Sequence, residues 1–331
     1  MWRLKKMFIG LLVLIVVLIV VFSFFNNKKN TDMIFGTTFN PHYARFLGLD
    51  SGHVYKTILD DWKFRNIRLS SQWSEVEKNR GKYDFSELDW LMNEADKRNA
   101  KVILAVGRKT PRWPECHLPD WAKKMKYDDY KTDLLKYMEA VVNRYRDHSA
   151  LEMWQVENEP FLAFGLCKTM PRKDLVVEVD LVKKLDPNHK IIVTDSGELS
   201  TWRKTIKAGD LFGTTMYRVV WNKYVGYFSY DWLPAVFYRA KVKVFRRDLN
   251  TAYVIELQAE PWMPDNAHEK GVDLKEQFKS MDLDRLKKNT DFAMRTGMPR
   301  AYLWGSEWWY WLKEKQNRPE FVDYVKTLKK K

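Results

Sequence analysis

The sequence predicts an α/β protein, a (β/α)8 (TIM) barrel preceded by one N-terminal transmembrane helix. Three observations carry this expectation. Eight short apolar runs alternate with longer amphipathic ones. No Gly/Ser-rich linker interrupts the alternation, so 31–331 reads as a single domain. Ahead of it stands a nineteen-residue apolar run, Met7 to Phe25, with no charge inside. One α/β barrel takes about 250 residues, and the roughly 300 that remain fit one barrel.

The apolar run comes first in the chain. At about 1.5 Å of rise per residue, it is long enough to span a hydrocarbon core. It ends in Phe22-Ser23-Phe24-Phe25-Asn26-Asn27, without the small residues of a signal-peptide cleavage site. The expectation is therefore an uncleaved signal anchor. Arg3, Lys5 and Lys6 precede it, while Lys28 and Lys29 follow. That bias puts the N-terminus in the cytoplasm and the barrel outside. Residues 1–30 then form a cytoplasmic stub, a single-pass anchor and the start of a linker.

The strand-like runs are Ile34–Phe39, Asn66–Leu69, Val102–Val106, Met153–Val156, Ile191–Thr194, Phe212–Met216, Ala252–Glu256 and Ala301–Trp304. Continuous apolar runs suit parallel strands buried on both faces. The helix-like stretches are Val54–Phe64, Ser86–Arg98, Tyr130–Tyr145, Lys173–Leu185, a short one near Trp202–Lys207, Ala235–Leu249, Leu274–Thr296 and Glu320–Lys330. Leu134, Met138, Val141, Val142 and Tyr145 mark one helical face. Asp186-Pro187 stops the fourth helix and Gly297 the seventh. Eight such alternations favour a closed barrel, with an open doubly wound sheet as the alternative that strand counting leaves.

Barrels of this kind carry their chemistry at the C-terminal ends of the strands. The fourth run continues into Trp154-Gln155-Val156-Glu157-Asn158-Glu159-Pro160. Three consecutive polar residues there are hard to explain by packing, and Pro160 ends the ladder. The seventh runs through Glu256-Leu257-Gln258-Ala259-Glu260-Pro261-Trp262. Two carboxyls at one barrel mouth suit cleavage of a glycosidic bond. One must be protonated to serve the leaving oxygen. The other must be ionised to attack the anomeric carbon, about 5–5.5 Å away in retaining enzymes. Their environments must push their pKa values apart.

These segments resemble the clan A retaining glycosidases, which include cellulase-like, family 10 xylanase-like and family 42 β-galactosidase-like enzymes. The resemblance implies Glu159 as acid/base, with Asn158 bonding the substrate's 2-hydroxyl. Ile255-Glu256-Leu257 is similar to the nucleophile segment, implying Glu256. Ile67-Arg68-Leu69 and the following loop look like the clan's second strand, with Arg68 beside the nucleophile. Tyr217 would hydrogen-bond it. Trp304 would form the floor of the subsite at the cleaved bond. The resemblance covers most of 34–312. Asn-Glu-Pro alone is a weak signal, whereas the ordered set across five strands is specific. Each role has its physics: Arg68 stabilises a nearby carboxylate by opposite charge, and Trp304 offers a flat face to a pyranose ring.

Glu256 and Glu260 share strand parity and stand about 13 Å apart if the strand is extended, so only one can pair closely with Glu159. Glu256 follows an apolar run of ordinary strand length and is the expected nucleophile. Glu260, although followed by proline as Glu159 is, becomes a substrate-contacting rim residue. Glu157 shares parity with Glu159 but lies deeper, as a structural partner of an interior Arg or Lys. Trp113 and Trp262 are candidate sugar platforms. One of Trp308, Trp309 and Trp311, placed in a loop after the last strand, is expected to line the cleft. Asn40 and His42 are weaker candidates.

Composition bounds the rest. Fifteen Trp among 15% aromatics suit sugar faces, though packing explains most single tryptophans. The net charge is +14, and +9 without the five cations flanking the apolar run. This favours an anionic envelope, and no nucleic-acid motif accompanies it. The six His show no metal-ligand spacing and no phosphate-binding loop is present, so neither metal nor cofactor is expected. Cys116 and Cys167 fall beyond the third and fourth strands and are candidates for a disulfide between two rim loops. The reading is a retaining glycosidase, with β-linkages expected, acting on an extracellular or envelope glycan. A transglycosylase on the same site and a non-catalytic glycan-binding barrel are the alternatives.

Overall fold

The structure, a computed structural model, describes residues 6, 8–10, 12–13, 15–17, 29–264 and 269–328. Ten strands are present among them: β1 Ile34–Thr38, β2 Asn66–Ser70, β3 Lys101–Val106, β4 Leu151–Val156, β5 Lys190–Asp195, β6 Leu211–Met216, β7 Val219–Asn222, β8 Gly226–Ser229, β9 Ala252–Gln258 and β10 Arg300–Trp304. Eight close into a parallel barrel in the order β1-β10-β9-β6-β5-β4-β3-β2. This removes the open-sheet alternative. β7 and β8 pair as an antiparallel hairpin outside the barrel.

The barrel separates two cores. Inside lie Ile103, Met153, Ile192, Leu211, Tyr253, Ile255 and Tyr302. A larger core fills the space between strands and helices, with Leu134, Met138, Val141 and Val142 of the predicted apolar stripe in it. Register shifts occur on both sides of β9. Thr214 pairs with Val254, but Thr215 pairs with Glu256. On the other side Ala301 pairs with Val254, but Leu303 pairs with Leu257. β9 therefore carries an extra residue, and a bulge re-aims the side chains beyond it.

The helical outline departs from the sequence reading at several points. Leu274–Thr296 divides into Leu274–Gln277 and Leu283–Arg295, because the Asp282 carboxylate caps the second by accepting from the Arg285 N–H. Residues near Trp202–Lys207 form turns, with Trp202 at φ 65° and buried. Pro41–Phe46, Trp73–Val76 and Ser306–Gln316 are helices that periodicity did not reveal. Ser306–Gln316 buries every residue from Ser306 to Leu312, so it has no amphipathic stripe to read. Trp308, Trp309 and Trp311 thus belong to a buried helix and not to a loop lining the cleft. The Trp308 indole donates to Gln277 Oε1 and that of Trp309 to the Ala259 carbonyl.

The expected anchor, Met7 to Phe25, lies largely outside the described residues. Among the described residues, no helix is long and apolar enough to cross a membrane. The chain joins the barrel at Asn30, whose N–H donates to Met294 O at 2.8 Å.

Candidate active site

Arg68 organises the barrel mouth. It projects from β2, fully buried, and each donor group has a partner. Nη1 donates to Glu256 Oε1 at 2.7 Å, Nη2 to Asn158 Oδ1 at 2.8 Å, and Nε to Gln155 Oε1 at 2.8 Å. One guanidinium thus ties the ends of β4 and β9 together. Charged hydrogen bonds of this kind hold geometry more firmly than neutral ones. The second oxygen of Glu256 accepts from the Tyr217 hydroxyl at 3.0 Å. Burial, followed by Glu256 and other nearby carboxylates, raises the Tyr217 pKa well above its usual value. The hydroxyl therefore remains a donor.

Glu159 sits in a different environment. It is 4% exposed, and Oε1 accepts from the Thr215 hydroxyl at 2.9 Å. Burial, then the neighbouring charges of Glu115 and Glu256, raise its pKa well above the usual carboxylate range. Its backbone N–H donates to Thr194 Oγ1 at 2.9 Å. Glu157 and Glu159 both lie at positive φ, 57° and 44°. Strand parity does not extend through this segment, so Asn158 turns inward to Arg68 while Glu157 turns away.

The Glu157 carboxylate caps a backbone turn instead of pairing with an Arg or Lys head group. It accepts from the N–H groups of Arg108 and Lys109 at 2.8 and 2.9 Å. Gly107 makes this possible: at φ 134°, a Cβ there would stand 2.4 Å from Glu157 Oε1.

Glu260 is placed apart from Glu256. It forms an ion pair with Arg112 and accepts from the Trp304 indole at 2.7 Å. Arg112 lies between the rings of Tyr43 and Trp304, 3.7 and 4.4 Å from their centroids. Glu307, which also pairs with Arg112, has its pKa raised to about 7 by burial, against the pull of that cation. Tyr43, Arg112, Glu260 and Trp304 border a cleft of about 510 Å³, which Asn40, His42, Trp113, Glu115, Tyr217 and Trp262 also help to line. Trp113, Phe164, Trp262 and Tyr217 form a chain of ring contacts along one wall, at 5.8, 5.6 and 5.3 Å. Trp113 is 42% exposed, whereas Trp304 is 5% exposed.

Thus the structure brings Glu159, Glu256, Asn158, Arg68 and Tyr217 together at the ends of β2, β4, β6 and β9. Trp304, Trp113, Glu260 and Trp262 border the cleft beside them. Sequence reasoning missed Arg112, Glu115 and Glu307. The first two stand in the loop after β3, which Cys116–Cys167 joins to the loop after β4. That disulfide, an open possibility in the sequence, is present. Among the described residues no cluster of His, Cys, Asp or Glu suits a metal ion.

A family model described as Beta-galactosidase, of glycosyl hydrolase family 42, matches residues 63–172. The probable mannan endo-1,4-beta-mannosidase F of Emericella nidulans is 26% identical over 168 residues, 44% of this chain and 37% of the relative. The mannan endo-1,4-beta-mannosidase A of Podospora anserina is 26% identical over 140 residues, 39% of this chain and 36% of the relative. The matched region is little more than a third of either relative. Among solved structures, GH5_18 from Bifidobacterium longum aligns with a TM-score of 0.59 at 12% identity, covering 82% of this chain and 69% of that one. Xylanase 10B from Thermotoga maritima aligns with a TM-score of 0.55 at 15% identity, covering 90% and 96%. These structural likenesses establish the fold. In fold and in sequence, this chain is similar to the clan A (β/α)8 glycosidases.

Proposed function

We propose that this chain is a glycoside hydrolase that cleaves O-glycosidic bonds, β-linked in the expected case, with retention of configuration. The observation that carries the reading is the split between two buried carboxyls at one mouth. Glu256 has both oxygens held by donors, Arg68 and Tyr217. Glu159 is buried among other acids, which favours its protonated form. In the first step Glu256 attacks the anomeric carbon as a carboxylate. Glu159 gives its proton to the departing oxygen, and a glycosyl ester forms on Glu256. In the second step Glu159, now a base, takes a proton from water. That water displaces Glu256 and restores both groups.

Arg68 and Tyr217 orient Glu256 and take up the charge that returns to it. Asn158, fixed to Arg68 through Oδ1, presents its amide nitrogen to the sugar. Trp304, Trp113 and Trp262 supply ring faces, and Glu260 contacts substrate at the rim. The matched family's description names β-galactosidase and the matched relative's name a mannan endo-1,4-beta-mannosidase, which motivates a β-linked glycan as substrate. The apolar run Met7 to Phe25 supports a membrane-anchored location with the barrel outside.

Activity of residues 31–331 on a panel of aryl β-glycosides tests the proposal, with the anomeric form of the first product followed by NMR. Hydrolysis with net retention is expected. Inversion contradicts the two-step mechanism, and glycan binding without cleavage by any panel member points to a non-catalytic barrel.

A further inference from the structure

Glycoside cleavage engages the mouth of the barrel and leaves one flank of the molecule without a role. Among the described residues of the barrel, five of the thirteen exposed large apolar side chains fall between Tyr224 and Val244. Tyr224 and Val225 stand in the turn between β7 and β8, and Phe228 on β8. Trp232 precedes the helix Ala235–Val244, and Val244 ends it. Tyr224, Trp232 and Val244 are 81%, 63% and 76% exposed. A clustered apolar surface of this kind marks a place of contact.

The helix Ala235–Val244 is apolar on two sides. Ala235, Tyr238 and Val242 are buried. Val236, Ala240 and Val244, spaced by four, share the opposite side. A helix apolar all round belongs inside a fold, yet Val236 and Ala240 are half-buried and Val244 is open to solvent. The flank is firmly held. Arg218, itself buried, donates to the carbonyls of Tyr230 and Leu233 and to the Tyr238 hydroxyl, joining the hairpin to the helix. Gln258 Oε1 accepts from the N–H groups of Arg218 and Val219 at 2.8 and 2.9 Å. The exposed rings and valines are thus a fixed surface.

Composition says what this surface meets. From Val219 to Arg247 the chain carries six cations and one acid, Asp231. Asp231 is paired with Arg285 at 2.6 Å. Lys223, Lys243 and Arg246 are exposed. Trp and Tyr beside Lys and Arg, around aliphatic side chains, is the composition of a bilayer interface. Valine offers no flat face to a pyranose, and a second copy of the same flank would set cation against cation.

The path of the chain into the barrel agrees. The helix Leu283–Arg295 packs beside Ala235–Val244, with the rings of Tyr238 and Phe292 5.9 Å apart. The same helix receives the segment that follows the apolar run. Asn30 N–H donates to Met294 O at 2.8 Å, and Lys29 pairs with Asp291. A bilayer holding Met7 to Phe25 would therefore begin only a few residues from this flank.

We propose that the β7–β8 hairpin and the outer side of the helix Ala235–Val244 rest on an anionic membrane surface, as a second attachment besides the apolar run. This docking rests on the membrane-anchored location above and not on the glycosidase chemistry. Trp232, Tyr224, Phe228 and the valines enter the boundary between headgroups and acyl chains, while Lys223, Lys243 and Arg246 meet lipid phosphates. Tyr217 directly precedes the Arg218 that fastens the hairpin, so docking holds the mouth close to the bilayer.

The test uses the full chain in vesicles of phosphatidylcholine and phosphatidylglycerol in equal amounts, doped with nitroxide-labelled lipid. A fluorophore is placed on Val225→Cys, on Val244→Cys, or on Lys136→Cys, which lies on the exposed side of the helix between β3 and β4, across the barrel. Cys116 and Cys167, joined to each other, take no label. The labels on Val225→Cys and Val244→Cys are expected to lose most of their emission, and that on Lys136→Cys little. Phosphatidylcholine alone restores the emission, as does the triple variant Lys223→Glu, Lys243→Glu, Arg246→Glu. Labels on the flank quenched no more than the one on Lys136→Cys overturn the proposal. So does quenching that neutral lipid and charge reversal leave unchanged. Washing with alkaline carbonate separates the two attachments. If it extracts the chain, the apolar run is no anchor, and the quenching recorded before the wash still decides the docking. If the chain resists extraction while the flank stays bright, the anchor stands and the docking fails.

Discussion

The chemistry turns on a few side chains, each with defined partners. Replacing Glu159 by Gln removes the proton donor while keeping the volume, and the expected loss in kcat/KM is roughly 10²- to 10⁴-fold. Aryl glycosides with good leaving groups should lose least, because their departing oxygen needs little protonation. The pH profile follows from the direction of the Glu159 shift. A carboxyl raised by burial, then by Glu115 and Glu256, keeps its proton to higher pH than an ordinary carboxyl, so the alkaline limb of the activity profile is expected above the ordinary carboxyl range. A profile that collapses near pH 5 would contradict the assignment. Asn158, Glu159 and Glu256 were legible because they close apolar runs, where packing offers no reason for a polar residue, whereas Arg68, inside the second run, and Tyr217 came from the resemblance. Glu115, Arg112 and Glu307 were not legible, since they reach the mouth only through folded loops and a buried helix. Glu157 was misplaced for a local reason: left-handed backbone at Glu157 and Glu159 cancels the alternation that parity assumes.

Elements position these groups, and two of them make separable predictions. The bulge in β9 aims Glu256 at Arg68, and nothing in the apolar pattern of Ala252–Glu256 announces it. The loops after β3 and β4 are joined by Cys116–Cys167 across 51 residues. Replacing both cysteines by Ser should cost about 4 kcal/mol by the chain-entropy account of a loop that long, read as a lower urea midpoint with a somewhat steeper slope, since the unlinked unfolded chain exposes more surface. Gly107→Ala should destabilise by about 1 to 3 kcal/mol, since φ there is 134° and the added carbon meets the Glu157 carboxylate. Measured near zero, that cost would show that the turn capped by Glu157 is not held as described. The helix Ser306–Gln316 escaped detection because burial on all sides erases periodicity, and its tryptophans were assigned to a loop for the same reason.

At the scale of the molecule, all eight barrel strands were readable as apolar runs, with ends displaced by no more than two residues. What could not be read was closure, which needs the β1–β10 pairing, and the way loops from different strands converge. Several carboxyls buried by that convergence give the fold a pH signature. Glu115 and Glu307 have folded pKa values raised to about 8 and about 7, from an ordinary value of 4.5. Between these limits the folded chain holds protons that the unfolded chain has released, so stability falls as pH rises. His117 is shifted the other way, lowered to about 4 from 6.5, and its contribution is complete by pH 6.5. From pH 6.5 to 8 the acids therefore dominate, and a loss on the order of 2 kcal/mol is expected as a lower thermal midpoint. The proposed mechanism requires that Glu256 become covalently glycosylated while Glu159 handles the proton. Trapping with a 2-deoxy-2-fluoro glycoside that carries a good leaving group, followed by peptide mass spectrometry, reads this out at the residue itself. One sugar per chain is expected, attached to Glu256, with Glu260 unmodified. A sugar found on Glu260, with Glu256 intact, would contradict the mechanism.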